Sequence, residues 1–241
     1  MNCKLHIVLL CLTLNNTHAS TPDSARHKTR SLLITPRFNT LNMAPISGSI
    51  VNQHANIDIT MVYTKNRFTW HLVNGVDLED IHTEMNYFLT NVRYKINITK
   101  EFGISPFLAF YSEHSHQVFD PVSDVNGGLL FTYQHNSITV EAFALFVRLT
   151  HKNSERDMIN RFEIRYKLRF VVLSGFVYQN TGYFDDKRRI AVGFRAILPQ
   201  FKVFSKIRAR AEVTGSFKIS EYPQTKIFNG VFLSLAFPIS A

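Results

Sequence analysis

Cysteine is almost absent from this chain, and both cysteines lie close to its start. Cys3 and Cys11 are the only two among 241 residues. We expect the first nineteen residues to be removed on export, which would leave no thiol in the mature chain. A disulfide scaffold, a cysteine-ligated zinc site and a cysteine nucleophile are then excluded.

Charged residues and long apolar runs are also scarce. Charged residues make up 19% of the chain, below the roughly 25% typical of soluble domains. The best apolar run after residue 20 is 142–147, far short of the roughly 20 residues of a transmembrane helix. Aromatic residues nevertheless reach 13%, with 21 phenylalanines. This combination indicates that part of the surface meets a medium other than water.

The first nineteen residues have the order of features typical of a secretory signal peptide. Lys4 precedes a mostly apolar run, 5–14, and a polar stretch then ends on the small residue Ala19. A positive start, a short apolar core and a small-residue exit are the signature of such a peptide. We therefore expect a signal peptide over 1–19, a polar N-terminal segment over 20–30 and a single domain over 31–241.

The remaining chain alternates polar and apolar residues with a period of two. Segment 161–166 places charged residues at every odd position and apolar ones between them, and segments 91–98 and 206–213 behave similarly. On a helix these charges would spread around most of the circumference, whereas on a strand they share one face. The pattern predicts strands with one polar and one apolar face.

Twelve strands follow from this pattern. They are predicted over 31–43, 50–64, 67–78, 85–98, 103–114, 128–134, 137–150, 158–166, 169–180, 188–198, 201–216 and 226–238. The joints between them alternate in length along the chain, as in the short joint 65–66 and the long joint 115–127. Alternating joints predict an all-β fold, a closed antiparallel up-and-down barrel with one short-turn end and one long-loop end. An error of one hairpin would give ten or fourteen strands.

Three features favour an apolar face that points outward, to lipid. Twelve strands exceed the roughly eight of a soluble, side-chain-filled barrel. All but one of the predicted strands have the roughly 9 to 11 residues needed to cross a bilayer at a tilt. The alternation of short and long joints is that of outer-membrane barrels. We therefore predict a transmembrane β-barrel.

On this architecture the chain resembles the bacterial outer-membrane β-barrel proteins over residues 31–241. The resemblance rests on the exported start, the cysteine-free remainder, the strand number and the terminal amphipathic strand 231–237, without a family-specific motif. Proteins of this class usually end on an aromatic residue, whereas Phe237 is followed here by four more residues. The resemblance implies residence in the cell outer membrane, contact with its lipids and recognition by the barrel-assembly machinery. The oligomeric state stays open, and no cofactor is expected.

If the apolar faces meet lipid, the polar faces line the interior. The pore-lining candidates are Arg93, Lys95, Arg161, Glu163, Arg165, Arg189, Arg195, Lys206, Arg208, Arg210 and Glu212. Rings of basic side chains set the selectivity of anion pores. The pattern therefore predicts a passive, porin-like channel for small anionic solutes. The alternative is a non-conducting structural or surface-recognition barrel, in which the same basic residues pair with acidic ones and fill the interior.

A lipid hydrolase is the second alternative. Ser112, His114 and His116 lie at the end of a predicted strand and the start of the longest joint. A hydrolase needs Ser, His and a carboxylate within hydrogen-bond reach, and adjacency in sequence does not supply that geometry. One histidine pair is also a weak metal signal. We therefore predict no catalytic residue and no metal site.

We predict no nucleic-acid partner, because no phosphate loop or recognition-helix pattern accompanies the net charge of +9.

Overall fold

The chain forms a closed β-barrel. The computed structural model describes residues 30–43, 50–52, 54–79, 87–113, 124–150, 157–182, 188–204, 207–220 and 229–240. The expected signal peptide and nearly all of the polar segment that follows it therefore lie outside the described residues. No helix that could span a membrane occurs in this described part.

Twelve long strands make up the barrel. They are β1 (Arg30–Asn39), β2 (Asn56–Lys65), β3 (Phe68–Asp77), β4 (Tyr87–Tyr94), β5 (Phe102–Glu113), β6 (Asp124–His135), β7 (Ile138–Val147), β8 (Asp157–Lys167), β9 (Val172–Gly182), β10 (Arg188–Ile197), β11 (Arg208–Ser220) and β12 (Gly230–Ala236). Each predicted strand has its counterpart among them. The expected all-β class and the strand number are thus confirmed.

Every strand pairs antiparallel with the next one in the chain, and β12 pairs with β1 to close the ring. The closing ladder joins Arg37 to Ala236 and continues through the short segment Ile239–Ser240, which pairs with Leu33 and Ile34. Pro36 and Pro238 lie within this seam and have no N–H to donate. The seam therefore lacks the two backbone donors that other residues would supply at these positions.

Two of the short turns depend on asparagine in the left-handed conformation. Asn66 has a φ of 57° and Asn136 a φ of 50°. Each begins a two-residue connection, because Lys65 pairs with Phe68 and His135 pairs with Ile138. Asparagine tolerates positive φ better than most residues, so these hairpins turn tightly at one end of the barrel.

The joint between β10 and β11 differs from the prediction. We expected a short joint at 199–200 and one strand over 201–216, but Phe201–Lys202 fold back onto Ala209 and Arg208. The turn is closed by the Val203 N–H, which donates to the Ile207 carbonyl at 2.9 Å. The prediction was wrong here because a small hairpin alternates polar and apolar residues just as a continuous strand does.

The joint between β1 and β2 also differs. The predicted strands 31–43 and 50–64 reach into a separate two-stranded sheet, in which Asn42–Met43 pair with Ile50–Asn52. The barrel ladder itself runs only from Asn39, paired with Asn56, down to Arg30, paired with Lys65. The long-loop end thus carries a small hairpin above the barrel rim.

Candidate functional site in the barrel interior

The two faces of each strand differ sharply in exposure. On β8, the Glu163 side chain is 3% exposed whereas the neighbouring Ile164 is 46% exposed. Trp70 and His71 of β3 follow the same rule, with Trp70 outside and His71 buried inside. Large apolar residues on the outside and buried charges on the inside invert the arrangement of a soluble protein. The polar faces therefore line the interior.

A set of ten buried or half-buried ionisable side chains crosses the interior, and we call it the inner charged belt. Its members are Arg37, Asp58, Arg93, Glu141, Arg161, Glu163, Arg165, Arg195, Arg210 and Glu212. They comprise six arginines and four carboxylates. Burying a charge is costly unless it is paired, so the partners of each arginine decide what the belt can do.

The carboxylates of β7 and β8 are paired by two arginines of β8. Glu141 lies directly opposite Glu163 across the ladder, a position in which like charges repel. Arg161 donates to Glu163, and Arg165 donates to both Glu141 and Glu163. Alternation on β8 places Arg161 and Arg165 on either side of Glu163. Their two positive charges balance the two carboxylates, so this part of the belt is neutral.

The carboxylates near the seam are paired in the same way. Arg37 binds Asp58 through Nε and Nη2, with Nη2 3.0 Å from Oδ1, and Asn39 donates to the same carboxylate at 2.8 Å. Arg210 donates to Glu212 from Nε and Nη2 at 3.0 and 2.6 Å. Charge-assisted, two-pronged bonds of this kind fix both side chains. These four charges therefore also cancel.

Two arginines of the belt remain without a direct partner. The side chains of Arg93 and Arg195 make no hydrogen bond and no close ion pair with any residue in the described ranges. Arg195 lies within electrostatic range of Glu163 and Glu212 and of the like-charged Arg161 and Arg37, and Arg93 lies within range of Glu141. They lie on β4 and β10, six strands apart in a ring of twelve and therefore on opposite sides. The excess positive charge of the belt resides on these two guanidinium groups.

Sequence reasoning selected most of the belt, and the structure distributes its candidates unevenly. Seven lie in the belt: Arg93, Arg161, Glu163, Arg165, Arg195, Arg210 and Glu212. Lys95 and Arg208 are instead exposed at the short-turn end. Their alternation indicated the correct face, but a period of two does not show where a strand leaves the barrel. Lys206 lies outside the described residues, as does the side chain of Arg189.

Sequence reasoning missed Arg37, the arginine that binds Asp58. Leu32, Leu33 and Ile34 interrupt the alternation of β1, and Pro36 follows them. The signal that could have found Arg37 is the shorter alternation of Thr35, Arg37 and Asn39 with apolar neighbours.

The possible hydrolase residues do not form a site in the described part of the chain. Ser112 is fully buried near the end of β5, whereas a nucleophile must reach its substrate. His114 and His116 lie outside the described residues. The described ranges also contain no cluster of three or more His, Cys, Asp or Glu side chains arranged to hold a metal ion.

Comparison with solved structures identifies barrels of the same fold. The NanC porin matches with a TM-score of 0.52 at 10% sequence identity, over 87% of this chain and 98% of that one. The KdgM porin matches with a TM-score of 0.53 at 10% identity, over 86% of this chain and 97% of that one. No protein-family model matches the sequence, and no curated protein is similar to it in sequence. The chain thus shares its fold with outer-membrane porins along nearly their whole length.

Proposed function

We propose that this protein is an outer-membrane barrel through which small anionic solutes diffuse. The outer face supports the location, because its exposed side chains are mainly Phe, Leu, Ile and Val, which suit the hydrocarbon of a bilayer. The fold shared with the NanC and KdgM porins supports a passive, porin-like role without catalysis. An N-terminal signal peptide would direct the chain to that membrane.

The observation that carries the anion preference is the lack of a direct partner for Arg93 and Arg195. Four arginines of the belt are neutralised by four carboxylates, so they attract a mobile anion weakly. The other two lie on opposite sides of the barrel, and their guanidinium donors are not used by the described residues. Basic groups in a narrow tube with low-dielectric walls raise the local concentration of anions. An anion that passes between them meets a donor on each side.

The filled, non-conducting barrel is the second candidate, and one observation favours it. Phe143 is 4% exposed and Leu145 is not exposed at all, so these inward side chains are packed rather than bathed in water. In that case the paired charges would serve stability alone. The two candidates differ in one measurable property, the passage of ions.

Purified protein in a planar lipid bilayer under a salt gradient separates them. We expect a stable conductance and a reversal potential that shows anion preference. Arg93→Gln and Arg195→Gln should each reduce that preference, and the double variant should reduce it further. Lys65→Gln is the matched control, because Lys65 is an exposed cation at the end of β2, and it should leave the reversal potential unchanged.

The results that would overturn the proposal are equally direct. A wild-type protein that carries no current while its barrel resists unfolding in detergent would establish the filled barrel. A cation preference, or an anion preference that survives the double variant intact, would remove the role of the two arginines.

A further inference from the structure

The barrel interior has two chemically different sides. On β5, β6 and β7 the inward residues Phe107, Ala109, Leu130, Phe143 and Leu145 are all buried, and we call them the apolar wall. The rings of Phe107 and Phe143 stack with centroids 5.1 Å apart and an angle of 10° between their planes. The apolar wall is part of a larger buried apolar cluster, which also includes Leu89 of β4 and Ile159 of β8.

A glycine in β6 makes room for this surface. A Cβ added to Gly128 would lie 2.7 Å from Cζ of Phe107 and 2.1 Å from the carbonyl oxygen of Ala144. No side chain fits there, so the ring of Phe107 lies directly over the backbone of β6. The stacked rings are thus held in place by the sheet itself.

The opposite side of the ring is polar. In a closed ring of twelve strands, β11 lies opposite β5, and β1 lies opposite β7. The inward residues of β11, β12 and β1 include Arg37, Asn39, Arg210, Glu212, Thr214 and Ser234, which are buried or half-buried, and we call them the polar wall. Phe232 of β12 also points inward, two positions from Ser234 towards the long loops. Arg195 of β10 borders this wall.

We propose that the solutes of this barrel are amphipathic anions, small acids that carry an aromatic or aliphatic portion. This inference rests on the proposed channel function and deepens it by naming the class of solute. The acid group would follow Arg195 at the border of the polar wall, because the arginines within that wall are paired with carboxylates. The apolar portion would lie against Phe107, Leu130 and Phe143.

The physical basis is the mismatch between a fully hydrated anion and the apolar wall. A uniformly polar anion gains nothing from Phe107 and Phe143, and it loses water on that side without replacement hydrogen bonds. An apolar portion instead removes hydrocarbon and aromatic surface from water when it touches this wall. A two-sided interior therefore lowers the barrier for a two-sided solute in particular.

The test compares two permanently charged sulfonates in the bilayer experiment. Benzenesulfonate is amphipathic, whereas isethionate is smaller and polar throughout. Permeability ratios come from the reversal potential with one anion on each side of the membrane. On size alone isethionate would pass faster. If the apolar wall contributes as proposed, the wild-type protein should instead prefer benzenesulfonate.

Matched variants identify the apolar wall as the cause. Phe107→Ala and Phe143→Ala should each lower the benzenesulfonate-to-isethionate ratio by about threefold to tenfold, the range that an aromatic contact supplies. Phe162→Ala is the control, because Phe162 is an exposed phenylalanine on the outer face of β8, and it should leave the ratio unchanged.

The possible failures are distinguishable. If no anion carries current, the channel function fails and this inference falls with it. If both sulfonates carry current and the wild-type protein prefers isethionate, only the inference on solute class is overturned. The same follows if the ratio is unaffected by the two inner variants. Because the wild-type ratio is measured without any substitution, the inference can fail even if the inner variants do not fold.

Discussion

The inner and outer faces of this barrel are made by the same strands and follow different rules. On the outer face, residues such as Phe162 and Ile164 are exposed to the surrounding medium, so they need only be apolar. On the inner face, Glu163 lies between them in sequence, yet it bonds Arg161 and Arg165 and faces Glu141 across the ladder. The outer face therefore tolerates exchange among apolar residues, whereas each inner charge depends on its neighbours.

The largest expected effect comes from breaking an inner pair. Glu163→Gln replaces the buried carboxylate that accepts from Arg161 and Arg165 with a neutral amide. Removing one partner of a buried ion pair costs about 3 to 5 kcal/mol, so the free energy of unfolding should fall by that amount. Urea unfolding in lipid vesicles, followed by the fluorescence of Trp70, measures it.

The matched control for this change is Glu101→Gln. Glu101 is exposed and its carboxylate pairs with His135, so its loss should cost less than about 1 kcal/mol. Equal losses from the two variants would show that the inner pairs contribute no more than a surface pair.

The outer face should respond to charge by depth. Phe162 lies at the middle of β8 and Tyr166 lies near its short-turn end. An arginine on the lipid face costs about 2 to 4 kcal/mol at the bilayer midplane and about 0 to 1 kcal/mol near the interface. Phe162→Arg should therefore lower the free energy of unfolding more than Tyr166→Arg in the same assay. The reverse order would contradict the placement of β8 across the membrane.

The smallest expected effect comes from Arg208, which shares the inner face of β11 but lies outside the inner charged belt. Arg208 and Arg210 lie on the same face of β11, but only Arg210 pairs with Glu212, and Arg208 is exposed. Arg208→Gln should change the free energy of unfolding by less than about 0.5 kcal/mol. Arg210→Gln should cost about 1 to 3 kcal/mol, because it leaves Glu212 without its closest donor. Equal losses in urea unfolding would place both arginines in one environment.

Much of the fold was predictable because lipid and the barrel interior impose opposite demands on successive residues. The resulting alternation of polar and apolar residues is clear in β8 and in the part of β11 that lies in the barrel. It marks β7 poorly, because Phe143 and Leu145 are apolar on the inner face as well as the outer one. The apolar wall therefore escaped prediction, since a run that is apolar on both faces shows no alternation. Lys95 was predicted on the correct face of its strand but lies beyond the barrel interior, because a period of two does not give the height of a residue along the barrel axis.

The belt could be predicted in its residue types but not in its pairing. Alternation places Arg161, Glu163 and Arg165 on one face from sequence alone. Arg37 binds Asp58 because the register of the β1–β2 ladder places the two residues directly opposite each other. Arg195 instead lies opposite Ser174 and Thr214, and its side chain makes no hydrogen bond or close ion pair with a described residue. These registers decide the pairing, and the alternation within one strand does not encode them.

The closure of β12 onto β1 sets the order in which the barrel can form. Eleven ladders join strands that follow each other in the chain, so each can form as a local hairpin. The seam instead joins Thr40 to Leu233, 193 residues apart, through the Thr40 N–H, which donates to the Leu233 carbonyl at 2.9 Å. Bringing distant segments together costs more chain entropy, and Pro36 and Pro238 withhold two donors at the same place. We therefore expect ring closure to be the slowest step of assembly, and we expect the seam to be the first ladder to exchange its amide hydrogens with solvent.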